Sequence, residues 1–256
     1  MLNQSSNQKM SQKHELFPLK VENLALEVNG KKLINNLSFK LEANGITALM
    51  GPNGAGKSLT LRLLHNLIEK TSGTISWNNQ TNQKLIQNAQ AMVFQKPVLL
   101  RRSVIENLRY NLHVKKIPNK TEQANLIEEA LTRAGLKGHA NNPARLLSGG
   151  EQQKLAMARA LMTKPSILFL DEPTASLDPN STLVIEDLIK EANDQGTKII
   201  LITHDIGQAK RLAEEILFLT GGKVCEQGKT LDLINNPQTK QAKQYFSGEI
   251  VTENQK

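Results

Sequence analysis

The sequence predicts an α/β protein built around a largely parallel sheet, with an antiparallel strand pair before it and a helical insertion within it. Short apolar runs typical of buried strands alternate with segments of helical periodicity, both early in the chain and again beyond Pro165. From about Ser103 to Thr163 the periodicity is helical throughout. Alternating apolar residues over 19–41, broken by Asn-Gly at 29–30, indicate the antiparallel pair.

The first half of the chain divides into elements at its glycines and at a capping signal. The run "ITALMG" predicts a buried strand, and apolar residues at helical spacing predict a helix from Lys57 to Ile68. The segments "GTISWNN" and "AQAMVFQ" indicate two further strands. Ser103 and Glu106 match a capping box at the start of one helix, and a second helix is expected from about Lys120 to Ala134.

Strands and helices alternate again beyond Pro165. The segments "SILFL" and "KIILIT" predict strands, and "EILFLTGGKV" predicts a hairpin. Helices are expected over 181–194 and 206–213, where apolar residues recur at helical spacing.

The two ends of the chain are polar, which predicts a disordered N-terminal leader and a C-terminal tail that is only partly ordered. Met10 is an alternative start of translation. The predicted division is a disordered leader, one domain, a helical subdomain inserted in that domain, and a polar C-terminal tail: residues 1–17, 18–235, about 97–163 and 236–256.

The composition narrows the class of protein. At 256 residues the chain can bury a substantial apolar core. Its 32 Lys and Arg against 24 Asp and Glu give a net charge of +8, compatible with nucleic acid, phosphorylated ligands or an anionic membrane face. The single cysteine, Cys225, cannot form an internal disulfide or a thiolate metal cluster, which favours a reducing cytosolic setting. No apolar run approaches the roughly 20 residues of a membrane-spanning helix, and the N-terminus lacks the apolar centre of a signal peptide.

A glycine-rich motif between a predicted strand and a predicted helix carries the strongest chemical signal. The stretch "GPNGAGKS" matches G-x-x-x-x-G-K-S/T, in which glycines let consecutive backbone N–H groups face an anion. Lys57 is expected to reach the β- and γ-phosphates, and the Ser58 hydroxyl to take one Mg²⁺ position. The alternative is a plain glycine-rich turn. The predicted nucleotide-binding residues of this phosphate loop are Gly51, Pro52, Asn53, Gly54, Ala55, Gly56, Lys57 and Ser58.

Two carboxylates follow the buried run "ILFL". Because they stand at the carboxyl end of a predicted strand, they lie at the edge where α/β sheets bind ligands. Asp171 is expected to hold Mg²⁺ through its water shell, and Glu172 to accept a proton from an attacking water. Taken alone, an apolar strand that ends in Asp-Glu is usually a solvated strand end.

A second anion-binding helix N-terminus is predicted in "LLSGGEQQKLAMARAL". Ser148, Gly149 and Gly150 come directly before a strongly periodic helix, whose N-terminus favours negative charge. Two such sites in one chain suggest a nucleotide held from two sides. In isolation, an ordinary serine N-cap followed by glycines explains the segment better.

Together these motifs resemble the ATP-binding subunit of an ABC transporter. The resemblance implies a P-loop NTPase (RecA-like) core with an antiparallel β subdomain and a helical ABC signature subdomain. It covers about residues 18–230. The matching motifs are, in chain order, the phosphate loop, the Q-loop glutamine Gln95, the signature "LSGGE" at 147–151, the strand ending in Asp171 and Glu172, the D-loop "SLD" at 176–178, and the switch histidine His204.

The resemblance also implies a homodimer stacked head to tail. In such a dimer each ATP lies between the phosphate loop of one protomer and the signature of the other. Asp178 is then expected to bridge the protomers. The residues expected to contact the partner's ATP are Ser148, Gly149, Gly150, Glu151 and Asp178.

Catalytic roles follow from the same resemblance. Gln95 is expected to sense Mg²⁺ and the attacking water, and His204 to hold the γ-phosphate. The predicted catalytic set is Glu172, His204, Gln95 and Lys57, and the predicted Mg²⁺ ligands are Ser58, Gln95 and Asp171.

One position departs from the family pattern. ABC ATPases usually stack adenine on an aromatic residue ahead of the phosphate loop, where this chain has Val28. An aliphatic contact covers the ring but loses the stacking contribution, on the order of 1 kcal/mol, which predicts weak discrimination between bases.

Among ABC proteins the chain resembles stand-alone importer ATPases, which act with integral membrane permease subunits at the cytoplasmic face of the membrane. A periplasmic or surface solute-binding protein is then an indirect partner. The segment "FQKPVLLRRSVIENLRYNL" resembles tungstate importer ATPases and, more loosely, phosphate and molybdate importer ATPases. Tungstate uptake is therefore expected, with phosphate, molybdate or polar amino-acid import as alternatives.

Two other classes are weighed against the importer. A soluble ABC ATPase acting on nucleic acid is compatible with the positive charge, but such proteins resemble tandem cassettes or carry a long coiled coil, and neither occurs here. No nucleic acid is therefore expected as a partner. A non-catalytic scaffold is disfavoured because the motif set includes both Glu172 and His204.

The stretch after Gln95 is expected to contact the permease. Pro97 has no N–H to continue a strand and starts a loop. Residues 98–100 predict an apolar docking surface, or alternatively packing within the helical subdomain. Arg101 and Arg102 precede a helix N-terminus and oppose its dipole, so an external carboxylate or lipid phosphate is their expected partner.

Overall fold

Two sheets form the framework of the protein. The computed structural model describes residues 16–78 and 80–249. The strands of this part of the chain are β1 (Leu19–Val28), β2 (Lys31–Leu41), β3 (Ile46–Met50), β4 (Ser72–Trp77), β5 (Gln90–Val93), β6 (Ile167–Asp171), β7 (Lys198–Ile202), β8 (Glu215–Thr220) and β9 (Lys223–Lys229).

Helices lie between these strands and at the C-terminal end. They are α1 (Lys57–Leu64), α2 (Gln83–Asn88), α3 (Val104–Val114), α4 (Lys120–Arg133), α5 (Gly149–Leu161), α6 (Pro179–Asp194), α7 (Ile206–Leu212), α8 (Thr230–Asn235) and α9 (Lys240–Phe246). Two short 3₁₀ segments, Lys137–His139 and Ala144–Leu146, lie between α4 and α5. No helix in the described ranges combines the length and the apolar character needed to cross a membrane.

The first sheet is antiparallel, with its strands in the order β2-β1-β4. Asn29 and Gly30 both have positive φ, as the tight turn between β1 and β2 requires. The predicted antiparallel pair is thus confirmed, and β4 adds a third strand on the other side of β1.

The second sheet has the order β5-β6-β7-β3-β8-β9. All neighbours from β5 to β8 are parallel, and β9 returns antiparallel to β8 as the predicted hairpin. Strands β3, β6 and β7 are buried along their whole length, as central strands covered on both faces must be. The predicted α/β fold with a largely parallel sheet is confirmed.

Side chains of this sheet alternate between two apolar cores. Leu49 and Phe169 point to the face covered by α1 and the antiparallel sheet. Met50 and Leu168 point to the opposite face, which is covered by α5 to α9. Helices α3, α4 and α5, inserted between β5 and β6, enclose a third core of their own. Because α5 also contributes Met157 to the second core, it joins the helical subdomain to the sheet.

The predicted leader is wrong at its last two residues. Leu16 and Phe17 are both buried. The Phe17 ring meets the edge of Trp77 at a centroid distance of 6.1 Å. These apolar side chains close one end of the core beneath the antiparallel sheet, so the ordered domain begins before residue 18. Residues 1–15, and with them Met10, lie outside the described residues.

The predicted polar tail contains a packed helix in the part that the structure describes, which ends at residue 249. Helix α9 packs on β8: Tyr245 and Phe246 contact the ring of Phe218 at centroid distances of 5.2 and 5.6 Å. Ala242 on the same helix is completely buried. Residues 250–256 lie outside the described residues.

Helix boundaries differ from prediction where a local motif ends or starts a helix. Helix α1 stops at Leu64 because Asn66 adopts a left-handed conformation, and the N–H groups of Asn66 and Leu67 bond back to the carbonyls of Leu63 and Arg62. Helix α6 starts at Pro179 because Asp178 caps it. Helices α2 and α8 are short and were not predicted.

Truncation of Phe17 tests the corrected domain boundary. Phe17→Ala is expected to lower the free energy of unfolding by about 3–5 kcal/mol, because it removes a buried ring and leaves a cavity. Urea denaturation measures the change. Leu85→Ala, at an apolar residue that is 52% exposed, is the control and is expected to change that free energy by less than about 0.5 kcal/mol. An unchanged urea denaturation midpoint for Phe17→Ala would show that Phe17 belongs to the leader and not to the packed domain.

Candidate active site

The phosphate loop leaves β3 through a position where a side chain has no room. A Cβ on Gly51 would lie 2.0 Å from the carbonyl oxygen of Leu219 on β8, and the φ of Gly51 is 142°. At the other end of the loop Gly56 caps α1 with a φ of 95°. Glycine has no side chain that could cap the first N–H groups of α1. These N–H groups therefore line the loop, and the N-terminus of a helix favours a bound anion.

Lys57 is folded back over the loop. Its Nζ donates to the carbonyl oxygens of Gly51 at 2.7 Å and Pro52 at 2.9 Å. Burial lowers the pKa of Lys57, while the nearby carboxylates of Glu172 and Asp171 oppose that change. A buried ammonium that bonds only carbonyl oxygens gains a stronger, charge-assisted partner when an anion enters the loop.

Ser58 and Asp171 form a pair of oxygen donors beside the loop. The Ser58 hydroxyl donates to Oδ1 of Asp171 at 2.9 Å. Asp171 ends β6 and is buried, and this burial raises the pKa of its carboxyl, against the effect of the Ser58 hydrogen bond. A hydroxyl and a carboxylate are hard oxygen ligands of the kind that Mg²⁺ takes, usually together with substrate phosphates and water. The donor set therefore fits the predicted ion.

Glu172 stands at the centre of a polar group at the same sheet edge. Its Oε2 accepts a hydrogen bond from Nε2 of Gln95 at 3.1 Å and lies 3.4 Å from Nδ1 of His204. Glu172 follows β6, Gln95 follows β5 and His204 follows β7, so three neighbouring strands deliver the three side chains. The structure thus brings together the predicted catalytic residues Glu172, Gln95 and His204.

The backbone around Glu172 is held in an unfavourable conformation. Glu172 has a φ of 48° and Ser176 a φ of 63°, values that residues with a Cβ rarely adopt. The Glu172 N–H donates to the carbonyl of Ile202 at the end of β7, at 3.1 Å. Such strain is typical of functional sites, where the surrounding structure holds a side chain in one direction.

The predicted signature residues form a separate group. Ser148 caps α5: its hydroxyl accepts from the Glu151 N–H and donates to the Glu151 carboxylate at 2.8 Å. These bonds from Ser148 lower the pKa of Glu151. Asp178 caps α6 by accepting from the Ser181 N–H at 2.9 Å. A Cβ on Gly150 would lie 2.6 Å from the Ser181 hydroxyl, so the two helix N-termini lie against each other.

This second group is not connected to the first within one chain. In residues 16–78 and 80–249, no hydrogen bond or ion pair joins residues 148–151 or Asp178 to the phosphate loop. Within a single protomer Ser148 therefore acts as an ordinary helix N-cap, which is the alternative considered from the sequence.

Comparison with known proteins decides the family. The family described as "ABC transporter" matches residues 34–175, more than half of the chain. The chain belongs to the ABC transporter family.

Relatives and solved structures of this family match almost the whole chain. The phosphate import ATP-binding protein PstB of Mycoplasma mobile is 34% identical over 260 residues, which cover 95% of this chain and 92% of that protein. Its namesake from Aeropyrum pernix is 35% identical over 252 residues, covering 92% of this chain and 100% of the relative. The same protein from Thermotoga maritima is 32% identical over 247 residues, covering 91% and 98%.

Among solved structures, an ATP-binding subunit of an ABC transporter superposes with a TM-score of 0.80 at 24% identity, covering 91% of this chain and 99% of that chain, which shows the fold alone. The cbiO1 subunit of a Clostridium perfringens ABC transporter complex gives 0.76 at 28% identity, covering 87% and 92%. A dimeric ATP-binding cassette in a post-hydrolysis state with ADP and Pi gives 0.74 at 29% identity, covering 83% and 98%. The predicted P-loop NTPase core with antiparallel and helical subdomains is confirmed.

In this ABC protein the stretch after Gln95 divides between the predicted docking surface and the alternative of packing within the helical subdomain. Val98 is 64% exposed, as a docking surface requires, but Leu99 is 9% exposed and belongs to the core of the helical subdomain. The guanidinium of Arg102 lies 5.8 Å from the centre of the Tyr110 ring. Arg102 therefore has one partner within the chain, while it stays exposed to solvent. Its contact with an external carboxylate or lipid phosphate remains a prediction.

Val28, the predicted adenine contact, ends β1 next to the turn. It is 46% exposed and pairs with Lys31 across that turn. Its contact with a base remains a prediction.

A buried network behind Glu172 was missed by sequence reasoning. Gln208 on α7 donates to the Thr174 hydroxyl at 2.9 Å and to Glu186 at 3.1 Å, and Arg211 donates to Glu186 at 2.6 Å. Glu186 is almost fully buried; that burial favours a raised pKa, but the bonds from Arg211 and Gln208 outweigh it and lower the pKa. The network fixes the segment after Glu172 between two helices. A single glutamate within a helix is not a pattern from which this network could be predicted.

The requirement for glycine at position 51 can be separated from the requirement for positive φ. Gly51→Ala is expected to lower the free energy of unfolding by clearly more than Gly54→Ala. Both positions have positive φ, which costs an alanine about 1–2 kcal/mol, but only at Gly51 does a Cβ meet a backbone oxygen. Urea denaturation of both variants measures the difference. Equal losses of unfolding free energy in the two variants would show that the close approach of Gly51 to the Leu219 carbonyl does not add to the cost of a side chain.

Proposed function

We propose that this protein hydrolyses ATP as the energy-supplying subunit of a phosphate importer, acting through separate integral membrane permease subunits. The observation that carries the proposal is the combination of the Glu172 group beside the Lys57 loop with relatives that match over nearly their whole length and are named phosphate import ATP-binding proteins. That the protein is an ABC ATPase follows from the family match.

Phosphate is preferred to tungstate as the transported oxyanion. The sequence prediction favoured tungstate because of one segment after Gln95, whereas the relatives reported above are phosphate import proteins that match along the whole chain. This subunit acts on the cytoplasmic face of the membrane. The solute is selected by the permease and by a periplasmic or surface solute-binding protein, which contacts this chain only indirectly.

The proposed chemistry begins with the phosphates of ATP in the loop. Lys57 exchanges its two carbonyl partners for the β- and γ-phosphates, and the N–H groups at the start of α1 bind the remaining phosphate oxygens. Ser58 and Asp171 would hold Mg²⁺, with Gln95 as a further ligand. Mg²⁺ supplies positive charge that neutralises the phosphate oxygens and the charge developing on them.

Glu172 is the proposed general base. Its carboxylate is oriented by the hydrogen bond from Gln95, so that it faces the space at the sheet edge in which a water attacks the γ-phosphorus. His204 lies 3.4 Å from the same carboxylate oxygen, and it is proposed to donate to the γ-phosphate. As water attacks, one of its protons passes to Glu172, and the bond between the γ-phosphorus and the β–γ bridging oxygen breaks, so that ADP leaves and phosphate is formed.

The two separate groups of residues support a head-to-tail homodimer. Residues 148–151 and Asp178 have no bond to the phosphate loop of their own chain, so a second copy is needed to place a signature over each bound ATP. A cassette of the same fold at 29% identity forms a dimer with ADP and Pi. Val98 and Arg101 remain exposed for the permease, and Val28 for the adenine ring.

Replacement of Glu172 tests the proposed base. Glu172→Gln keeps the size of the side chain and an acceptor for Gln95 but cannot take a proton, so kcat for ATP hydrolysis is expected to fall about 10²- to 10⁴-fold. The Kd for MgATP is expected to change little. A coupled ATPase assay and a binding titration measure the two quantities, with Glu69→Gln, a change at an exposed carboxylate, as control. Near-normal turnover would remove Glu172 from the role.

The transported ion is tested in the assembled complex. The tagged protein is purified from membranes with the subunits that accompany it, reconstituted in liposomes, and assayed for ATPase activity with phosphate, tungstate, molybdate or sulfate outside. Phosphate is expected to stimulate activity severalfold, because import couples hydrolysis to the solute that the complex selects. The complex with Glu172→Gln is the matched control. Stimulation by tungstate and not by phosphate would restore the sequence prediction.

A further inference from the structure

The segments that carry Glu172 and His204 leave two neighbouring strands and lead to different helices. Glu172 follows β6 directly, and the chain runs on through Thr174 to α6. His204 is the second residue after β7, and α7 starts two residues later, at Ile206. Oε2 of Glu172 and Nδ1 of His204 approach each other at 3.4 Å. The spacing of these two side chains therefore depends on what holds the two segments together.

Gln208 on α7 bonds to the segment that follows Glu172. Its amide nitrogen has two N–H donors, and two acceptors lie within reach: the Thr174 hydroxyl at 2.9 Å and Oε1 of Glu186 on α6 at 3.1 Å. Gln208 is 2% exposed, so bulk water does not compete for these bonds. One side chain thus joins α7 both to the residue two positions after Glu172 and to α6.

The carboxylate that Gln208 contacts is itself held in place. Arg211, one turn further along α7, donates to Oε1 of Glu186 at 2.6 Å and to Oε2 at 3.0 Å. Two parallel bonds from a guanidinium fix the orientation of a carboxylate. Because Glu186 is almost completely buried, it keeps the Gln208 amide directed towards Thr174.

The start of α7 connects Gln208 to His204. Oδ1 of Asp205 accepts a hydrogen bond from the N–H of Gln208 at 3.0 Å and so caps the helix. The N–H of Asp205 donates to the hydroxyl of Thr203, a buried residue, at 3.0 Å. His204 lies between these two residues, so a shift of α7 relative to the sheet would move its side chain.

We propose that Gln208 is a positioning residue for ATP hydrolysis: through the Thr174 hydroxyl it sets the spacing between the Glu172 carboxylate and His204. The proposal rests on the proposed function, since it concerns the base and the γ-phosphate contact named there. Within the described ranges, no hydrogen bond or ion pair joins Gln208 or Thr174 to the phosphate loop at 51–58. The contribution of Gln208 therefore appears in the hydrolysis step and not in the affinity for the nucleotide.

A change of one atom in Thr174 tests the proposal. Thr174→Val removes the hydroxyl that accepts from Gln208 and keeps the branched shape of the side chain. The kcat for ATP hydrolysis is expected to fall about threefold to tenfold, the range given by loss of one hydrogen bond, with the KM for ATP and the Kd for MgATP changed less than twofold. A coupled ATPase assay and a binding titration on the full chain measure these quantities.

Two control variants separate the hydrogen bond from a general loss of stability. Thr174→Ser keeps the hydroxyl, so its kcat is expected to stay within twofold of the wild-type value. Ile189→Val removes a buried carbon from α6, the helix that carries Glu186, without touching the network. It is expected to lower the Tm and to leave kcat unchanged.

Two double variants show whether the effect passes through this bond and through Glu172. Thr174→Val combined with Gln208→Leu is expected to have the kcat of Gln208→Leu alone, because one bond can be lost only once. In a protein that already carries Glu172→Gln, Thr174→Val is expected to change the residual kcat less than twofold, since the base that the bond positions is gone.

The outcomes distinguish this proposal from the proposed function. An unchanged kcat in Thr174→Val, an equal fall of kcat in Thr174→Ser or Ile189→Val, or additive losses in either double variant would each overturn the role of Gln208. A rise of the Kd for MgATP as large as the fall of kcat would also overturn it. Absence of ATP hydrolysis in the wild-type protein would instead overturn the proposed function.

Discussion

The parallel register of the central strands is the constraint on which the candidate active site depends. Ile202 on β7 is the partner of Leu49 on β3 and of Asp171 on β6, so these three strands end at one level. The phosphate loop, Glu172 and His204 follow directly from those ends. On the next strand Val93 pairs with Leu170, which brings Gln95 to the same edge. A slip of one residue in any of these pairings would turn the side chains to the wrong face.

Desolvation acts on both signs of charge at this edge. Burial lowers the pKa of Lys57 and raises the pKa of Asp171, so the charged form of each is disfavoured by the same lack of water. Each group has a neutral partner, carbonyl oxygens for Lys57 and the Ser58 hydroxyl for Asp171. A nucleotide with Mg²⁺ brings an anion to the first and a cation to the second. The site is thus complementary in charge to the nucleotide together with Mg²⁺ and not to either component alone.

Much of this site could be predicted because its signals are local. The glycines of the phosphate loop, the carboxylates after an apolar strand and the Ser103 and Ser148 caps each lie within a few residues of the structure that they produce. The failures concern contacts between distant parts of the chain. Phe17 and Tyr245 stand in polar stretches, and only their partners Trp77 and Phe218, far away in sequence, make them part of a core.

Ambiguous local patterns account for the other failures. The three consecutive apolar residues at 98–100 have no periodicity that would separate a buried side chain from an exposed one, and the structure buries Leu99 while Val98 stays exposed. For Arg102 the helix dipole indicated an external partner, and the contact with the aromatic face of Tyr110 on α3 was missed. The sequence alone does not show whether an arginine ahead of a helix points toward a side chain two turns further along that helix.

The left-handed backbone at Glu172 and Ser176 sets the proposed role of Glu172 against stability. At both positions glycine would adopt the observed φ without strain. Retention of a carboxylate at 172 therefore keeps the folded state less stable than this backbone allows. Selection for thermal stability alone would replace Glu172 early. A more stable variant of this protein that still hydrolyses ATP therefore has to gain its stability elsewhere in the fold.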